Sequence, residues 1–166
     1  PCIYKFIGYS PNNFTNKSKP VIITEYVSNG SLDNLIEMER LGLGHPDWND
    51  TKKLINIYGI ASGMKYLHDQ SILHRDLKPG NILLDENLYP KIADFGLSKF
   101  LTDQDYIEIK KKKPINSGFK GSLAYCAPEI LRNNKYTKAG DVYAFGMIVY
   151  EIITNEILFD GYNQFQ

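Results

Sequence analysis

Between Asp76 and Asn81 the chain carries a carboxylate, an ammonium and a carboxamide: Asp76, Lys78 and Asn81. Pro79 and Gly80 interrupt them, so the segment reads as a loop rather than one face of a helix. The apolar run Ile82-Leu83-Leu84 follows and would anchor that loop on a buried strand. Further on, Asp94 closes a second apolar run, Ile92-Ala93, with Phe95 and Gly96 beside it. An acceptor for a hydroxyl proton, a fixed cation, and an Asn with a second Asp for a hard metal ion are the parts that phosphoryl transfer needs. Either half alone is also what an ordinary charged surface turn looks like, because short motifs recur by chance. Both halves, in this order in one chain, make that reading remote.

The elements that must position these groups are legible in outline. Residues 3–9 form a short apolar run with aromatics and read as a strand. The stretch 10–20 is polar and rich in Asn, Lys and Pro, a turn between strands. Residues 21–27 are β-branched and read as a second strand. Ser28-Asn29-Gly30 breaks it, and Ser31 can then cap a helix through Leu32, Leu35, Ile36 and Met38. A Gly- and Pro-containing loop spans 41–50. A long helix follows, capped by Asn49, Asp50 or Thr51. Leu54, Ile57, Ile60, Ala61, Met64 and Leu67 recur at helical spacing and mark its buried face. Gly59 and Gly63 cost local propensity there, which close packing would offset. His68, at the end of this helix, reads as a packed structural histidine rather than a ligand. From 97 to 126 the chain is long and mixed. Its run Lys110-Lys111-Lys112-Lys113 is more in keeping with a solvated stretch than with a binding patch. From 139 to 153 a second apolar helix carries Val142, Phe145, Gly146, Ile148, Val149 and Ile152 and reads as buried on most sides. Asp141, near its start, is a charge that would need donors.

Composition narrows the class. The chain has 166 residues, enough for one domain with a real core, and 43% of them are apolar. Nineteen basic and 19 acidic side chains cancel, so nothing global argues for nucleic acid or a membrane surface. Cys2 and Cys126 lie far apart without metal-ligand spacing and read as reduced thiols in a cytosolic protein rather than a disulfide. No apolar run approaches a membrane span, and Pro1-Cys2-Ile3-Tyr4-Lys5 is no signal peptide.

The run His74-Arg75-Asp76-Leu77-Lys78-Pro79-Gly80-Asn81, with Asp94-Phe95-Gly96, resembles the catalytic loop H-R-D-L-x-x-x-N and the metal-binding D-F-G of eukaryotic protein kinases. The resemblance extends over nearly the whole chain. Ala127-Pro128-Glu129 matches A-P-E, and Gly121-Ser122-Leu123-Ala124-Tyr125 and Asp141-Val142-Tyr143-Ala144-Phe145-Gly146 also look like kinase segments. Lys78, two residues after Asp76, follows the serine/threonine pattern, and the flavour is that of the tyrosine-kinase-like serine/threonine group.

What the resemblance implies is an α+β, protein-kinase-like fold: mainly the helical large lobe, with the last two strands of the small lobe, cut short at both ends. The small-lobe remnant would be 1–24, the hinge 25–30, and the incomplete large lobe 31–166. Asp76 would orient and deprotonate the substrate hydroxyl, and Lys78 would contact the transferring phosphate. Asn81 and Asp94 would hold magnesium. Thr24 matches the gatekeeper, Glu25 to Val27 the hinge that pairs with adenine, and Leu83 the floor beneath it. His74 would pack under Phe95, with Phe6 beside it, and Asp141 would accept backbone N–H groups of the catalytic loop. Ser122 would lie near Asp76. Arg75 would pair with a phosphorylated activation loop. Ser117 is the first candidate acceptor there, with Thr102 and Tyr106 behind it.

The implied activity is ATP- and Mg2+-dependent transfer of phosphate to serine or threonine hydroxyls of a protein, with no nucleic-acid partner and a cytoplasmic location. The pattern departs from the family where the Gly-rich loop, the third-strand lysine and its glutamate partner would precede Pro1. The arginine that would pair with Glu129 would likewise fall after Gln166. Three readings follow: part of an active serine/threonine kinase, an inactive kinase-like module that only binds partners, or a non-expressed gene fragment. On this reading the isolated chain binds ATP weakly and transfers little phosphate. Asp76, Lys78, Asn81 and Asp94 together favour the first reading over the second, since a pure binding module has no physical need for all four.

Overall fold

A computed structural model describes residues 2–13, 15, 18–102, 122–133 and 135–159. Ser117, Tyr106 and the Lys110 to Lys113 run lie outside the described residues.

The chain opens with an antiparallel hairpin, β1 (Phe6–Ser10) against β2 (Val21–Thr24), with Ser10 opposite Val21 and an irregularity between Phe6 and Gly8. Both strands are shorter than the β-branched and aromatic runs suggest. Ahead of β1, the backbone at Cys2 and Tyr4 bonds to Ile92, so the first residues are stitched to the segment that leads into Asp94.

Helix α1 (Leu32–Arg40) starts at Ser31, as its position predicts, but without the expected side-chain cap. The Ser31 hydroxyl bonds the Asp33 carboxylate instead. Helix α2 (Asp50–Asp69) takes Asn49 as its cap, whose side chain accepts the Lys52 N–H. Ile60, Met64 and Leu67 are buried as expected, whereas Leu54 is 65% exposed. Gly59 and Gly63 are there for close approach: a Cβ at Gly59 would sit 2.6 Å from the Pro90 ring, and one at Gly63 2.7 Å from Ile92.

Two small antiparallel pairs carry the loops that matter. β3 (Ile72–Leu73) pairs with β6 (Lys99–Phe100), and β4 (Ile82–Leu84) pairs with β5 (Pro90–Ile92), with Leu83 opposite Lys91. Short helix α3 (Pro128–Asn133) follows, then α4 (Lys138–Thr154). Ile148, Ile152 and Ala144 bury one face of α4, but Val142 is 59% exposed, so the helix is not enclosed on most sides. The core is continuous across α1, α2, β4, β5 and α4: Leu32, Ile60, Ile82, Leu84, Ile92 and Ile148 are fully out of water. Small antiparallel sheets and packed helices together make an α+β fold. Both cysteines are free thiols. Among the described residues no helix is long and apolar enough to cross a membrane.

Candidate active site

The loop 74–81 enters from β3 and leaves into β4, so the two pairs fix its ends. Its first two residues are fixed by a single buried carboxylate. Asp141, 4% exposed in the first turn of α4, accepts the backbone N–H of His74 at 3.0 Å and of Arg75 at 2.9 Å. His68 Nε2 lies 2.8 Å from the same carboxylate, which gives this histidine its structural role. These are the donors that a buried charge requires.

His74 is wholly buried, its ring centroid 5.3 Å from that of Phe95. Nε2 donates to the Ala93 carbonyl at 3.0 Å, which leaves Nδ1 as the acceptor for the Asp76 N–H. One neutral tautomer satisfies both contacts. Burial pushes the His74 imidazole below its usual pKa, and the bond to Ala93 only partly offsets this. Phe6 does not join this stack: it is 60% exposed on β1, opposite Thr24 and next to the irregularity in that strand.

Asp76 is held from three sides. Asn81 Nδ2 donates to the Asp76 carbonyl at 2.7 Å and to Oδ2 at 3.0 Å. Lys78 Nζ lies 3.2 Å from Oδ2, and the Ser122 N–H donates to Oδ1 at 3.1 Å. Lys78 also donates to the Ser122 hydroxyl, which is 3.3 Å from Oδ1. The carboxylate, the ammonium and the serine therefore form one ring of contacts that joins sequence positions 46 residues apart.

Asn81 is 7% exposed, and its amide N–H groups are spent on Asp76. Its Oδ1 takes no part in those bonds and remains a carbonyl-type donor for a hard cation. Asp94 sits in a left-handed conformation, φ 58°, and is exposed; among the described residues its Oδ1 accepts only the Gly96 N–H. The Ala93 N–H donates to the Asn81 backbone carbonyl at 2.8 Å, which ties the two segments together. A carboxylate and a carboxamide oxygen are the right chemistry for a divalent metal ion with phosphate oxygens.

The remaining predicted residues lie at the edge of this region. The Thr24 hydroxyl donates to the Tyr4 hydroxyl at 3.0 Å. The Glu25 carboxylate accepts the Lys5 N–H at 2.7 Å and lies 3.5 Å from Lys91 Nζ. Val27 is half-buried and its backbone makes no hydrogen bond among the described residues. The segment after it is laced to β4: the Leu84 N–H donates to the Gly30 carbonyl, and Ser31 bridges Leu83. Leu83 is thus brought to the exit of the 25–30 segment. Glu129 forms no ion pair among the described residues.

Two partners were not legible in the sequence. Tyr136 places its ring 4.3 Å from the Arg75 guanidinium carbon. Tyr125 donates to Glu151 at 2.7 Å, and burial pushes both the phenol and this carboxyl above their usual pKa.

A family model described as protein kinase domain matches residues 3–166. The chain is 42% identical over 142 residues to Cysteine-rich receptor-like protein kinase 1 of Arabidopsis thaliana, covering 83% of this chain and 21% of that protein. It is 34% identical over 164 residues to Probable serine/threonine-protein kinase PBL7 of the same plant, covering 97% of this chain and 40% of that protein. A putative serine/threonine-protein kinase/receptor, R818, of Acanthamoeba polyphaga mimivirus is 38% identical over 144 residues, covering 86% of this chain and 8% of that protein. The chain therefore spans well under half the length of each of these relatives.

Proposed function

This chain belongs to the protein kinase domain family, and from that premise we propose that it carries the phosphotransfer site of a protein serine/threonine kinase. The observation that carries the reading is the Asp76 carboxylate, held by Asn81, Lys78 and Ser122 together. A carboxylate fixed on three sides is prepared to orient a hydroxyl and accept its proton without reorganising. Lys78, already beside it, supplies positive charge for the phosphate in transfer. Phosphoryl transfer needs positioning and charge neutralisation rather than a protein nucleophile, and the site offers those two things.

Family membership implies ATP as substrate and a divalent metal ion. We take the ion to be magnesium, held by Asn81 Oδ1 and the Asp94 carboxylate, where it would neutralise charge on the phosphates. We assign adenine to the 25–30 segment, where the Val27 N–H and C=O are unused among the described residues, with Thr24 and Glu25 beside it and Leu83 below. On this reading 1–24 belongs to the small lobe and 31–166 to the large lobe. The acceptor is a protein hydroxyl, serine or threonine by the spacing of Lys78 from Asp76. The balanced charge of the chain favours no nucleic-acid partner. The two free thiols are in keeping with a cytoplasmic setting.

The test is to incubate the full natural chain with Mg-ATP and a general acceptor protein, then to identify the phosphoamino acid. Phosphoserine or phosphothreonine is expected. Phosphotyrosine alone, or no transfer, would overturn the proposal.

A further inference from the structure

We propose that Tyr136 is a positioning residue: its ring holds the Arg75 guanidinium and, through it, the left-handed turn that presents Asp76. The inference rests on the reading of Asp76 as the proton acceptor. Arg75 has φ 70°, a conformation that a residue with a Cβ keeps only where its surroundings over-determine it. Its backbone supplies one restraint, the N–H donated to Asp141 Oδ1. Its side chain supplies the other. No carboxylate forms an ion pair with Arg75 among the described residues, and Nε is buried without a hydrogen-bond partner. What the guanidinium does have is the face of Tyr136, at 4.3 Å.

A planar cation over an aromatic face is attracted by the ring quadrupole, more strongly where water is excluded. The same narrow space is lined by Asp76, Ser122 and Asp141, so the stacked pair lies against the catalytic loop. Arg75 and Asp76 are consecutive. A rotation at Arg75 would therefore displace the Asp76 carboxylate from Ser122 and Lys78, and small displacements at a reacting group are expensive in rate.

The experiment compares the parent full natural chain with Tyr136→Phe, Tyr136→Leu, Arg75→Met and the double variant Arg75→Met/Tyr136→Leu. Hydrogen exchange at the Arg75 amide is measured beside kcat and KM for ATP. Loss of the stack in Tyr136→Leu should speed exchange at Arg75, and lower kcat, by roughly five- to thirtyfold. KM should stay within about twofold, because Tyr136 lies outside the segments assigned to the nucleotide. Tyr136→Phe, which keeps the ring, should restore both. In the Arg75→Met background Tyr136→Leu should add nothing.

Equal damage from Phe and Leu would overturn the proposal, because the hydroxyl and not the ring would then matter. Additive losses in the double variant would overturn it as well. So would faster exchange at Ile60 and Ile148, which are fully buried in the core, since that would mark general loosening. If no form transfers phosphate, the kinase reading fails, and the exchange arm alone still decides whether Tyr136 holds Arg75.

Discussion

Asp141 accepts the backbone N–H of His74 at 3.0 Å, across 67 positions of sequence. Through this bond and its neighbour at Arg75, helix α4 sets the 74–81 loop. Replacing Asp141 by Ala would leave the buried His74 N–H and the half-buried Arg75 N–H without their acceptor, and His68 Nε2 without its partner. The expected loss is about 2–5 kcal/mol, since each orphaned donor costs roughly 1–3 kcal/mol. Urea unfolding of parent and Asp141→Ala measures it, and a loss within about 0.5 kcal/mol, the level of an ordinary surface change, would contradict the assigned role.

Stability should fall in mild acid because of His74. Burial lowers its folded pKa beneath the ordinary imidazole value of 6.5. In the window just below that value the unfolded chain binds the proton and the folded chain does not. The contribution is fully present above pH 6.5 and is lost as pH falls towards the folded pKa. Glu151 works with the opposite sign: its raised pKa makes the folded state the better proton binder from about 4.5 upward. Urea midpoints from pH 7 downward, in parent and His74→Leu, separate the two. The parent should lose more than the variant just below pH 6.5, and parallel curves would count against the account.

Tyr125 is the donor that a buried Glu151 depends on, at 2.7 Å. Tyr125→Phe should cost about 1–3 kcal/mol near neutral pH. The penalty should shrink in acid, where Glu151 becomes protonated and no longer needs the donor, because losing that bond raises its pKa further. Chemical denaturation at two pH values reads this directly. A penalty that grows in acid would refute it.

Glycines on the helices should respond with opposite signs. At Gly59 a Cβ would lie 2.6 Å from the Pro90 ring, which cannot swing away, so Gly59→Ala should destabilise by ~1–3 kcal/mol. At Gly146, where nothing lies within 4 Å, alanine should stabilise by ~0.5–1 kcal/mol through helix propensity alone. Thermal unfolding of the pair tests it, and equal shifts would show that packing at α2 is not what fixes Gly59.

Much of this was readable in the residues because local pattern and site chemistry agree. The helical repeat placed Ile60, Met64 and Leu67 inside. It misplaced Leu54, six residues before Ile60 and so about 120° around the helix from it. Val142 stands at the same offset from Ile148 and is exposed for the same reason. The grouping of Asp76, Lys78, Asn81 and Ser122 followed from recognisable motifs, and the geometry brings them together. The stack of Tyr136 on Arg75 carries no sequence signal, because two residues that far apart meet only once α4 is docked. The exposure of Phe6, and the irregularity in β1 beside it, have no mark in the composition.

Asp76→Asn tests the central claim most directly. The amide keeps the size of the side chain and removes its capacity to take a proton. Phosphate transfer by the full natural chain should fall by about 10²–10⁴-fold, while the urea midpoint stays close to that of the parent. Transfer at the parent's rate, with the fold intact, would contradict the account.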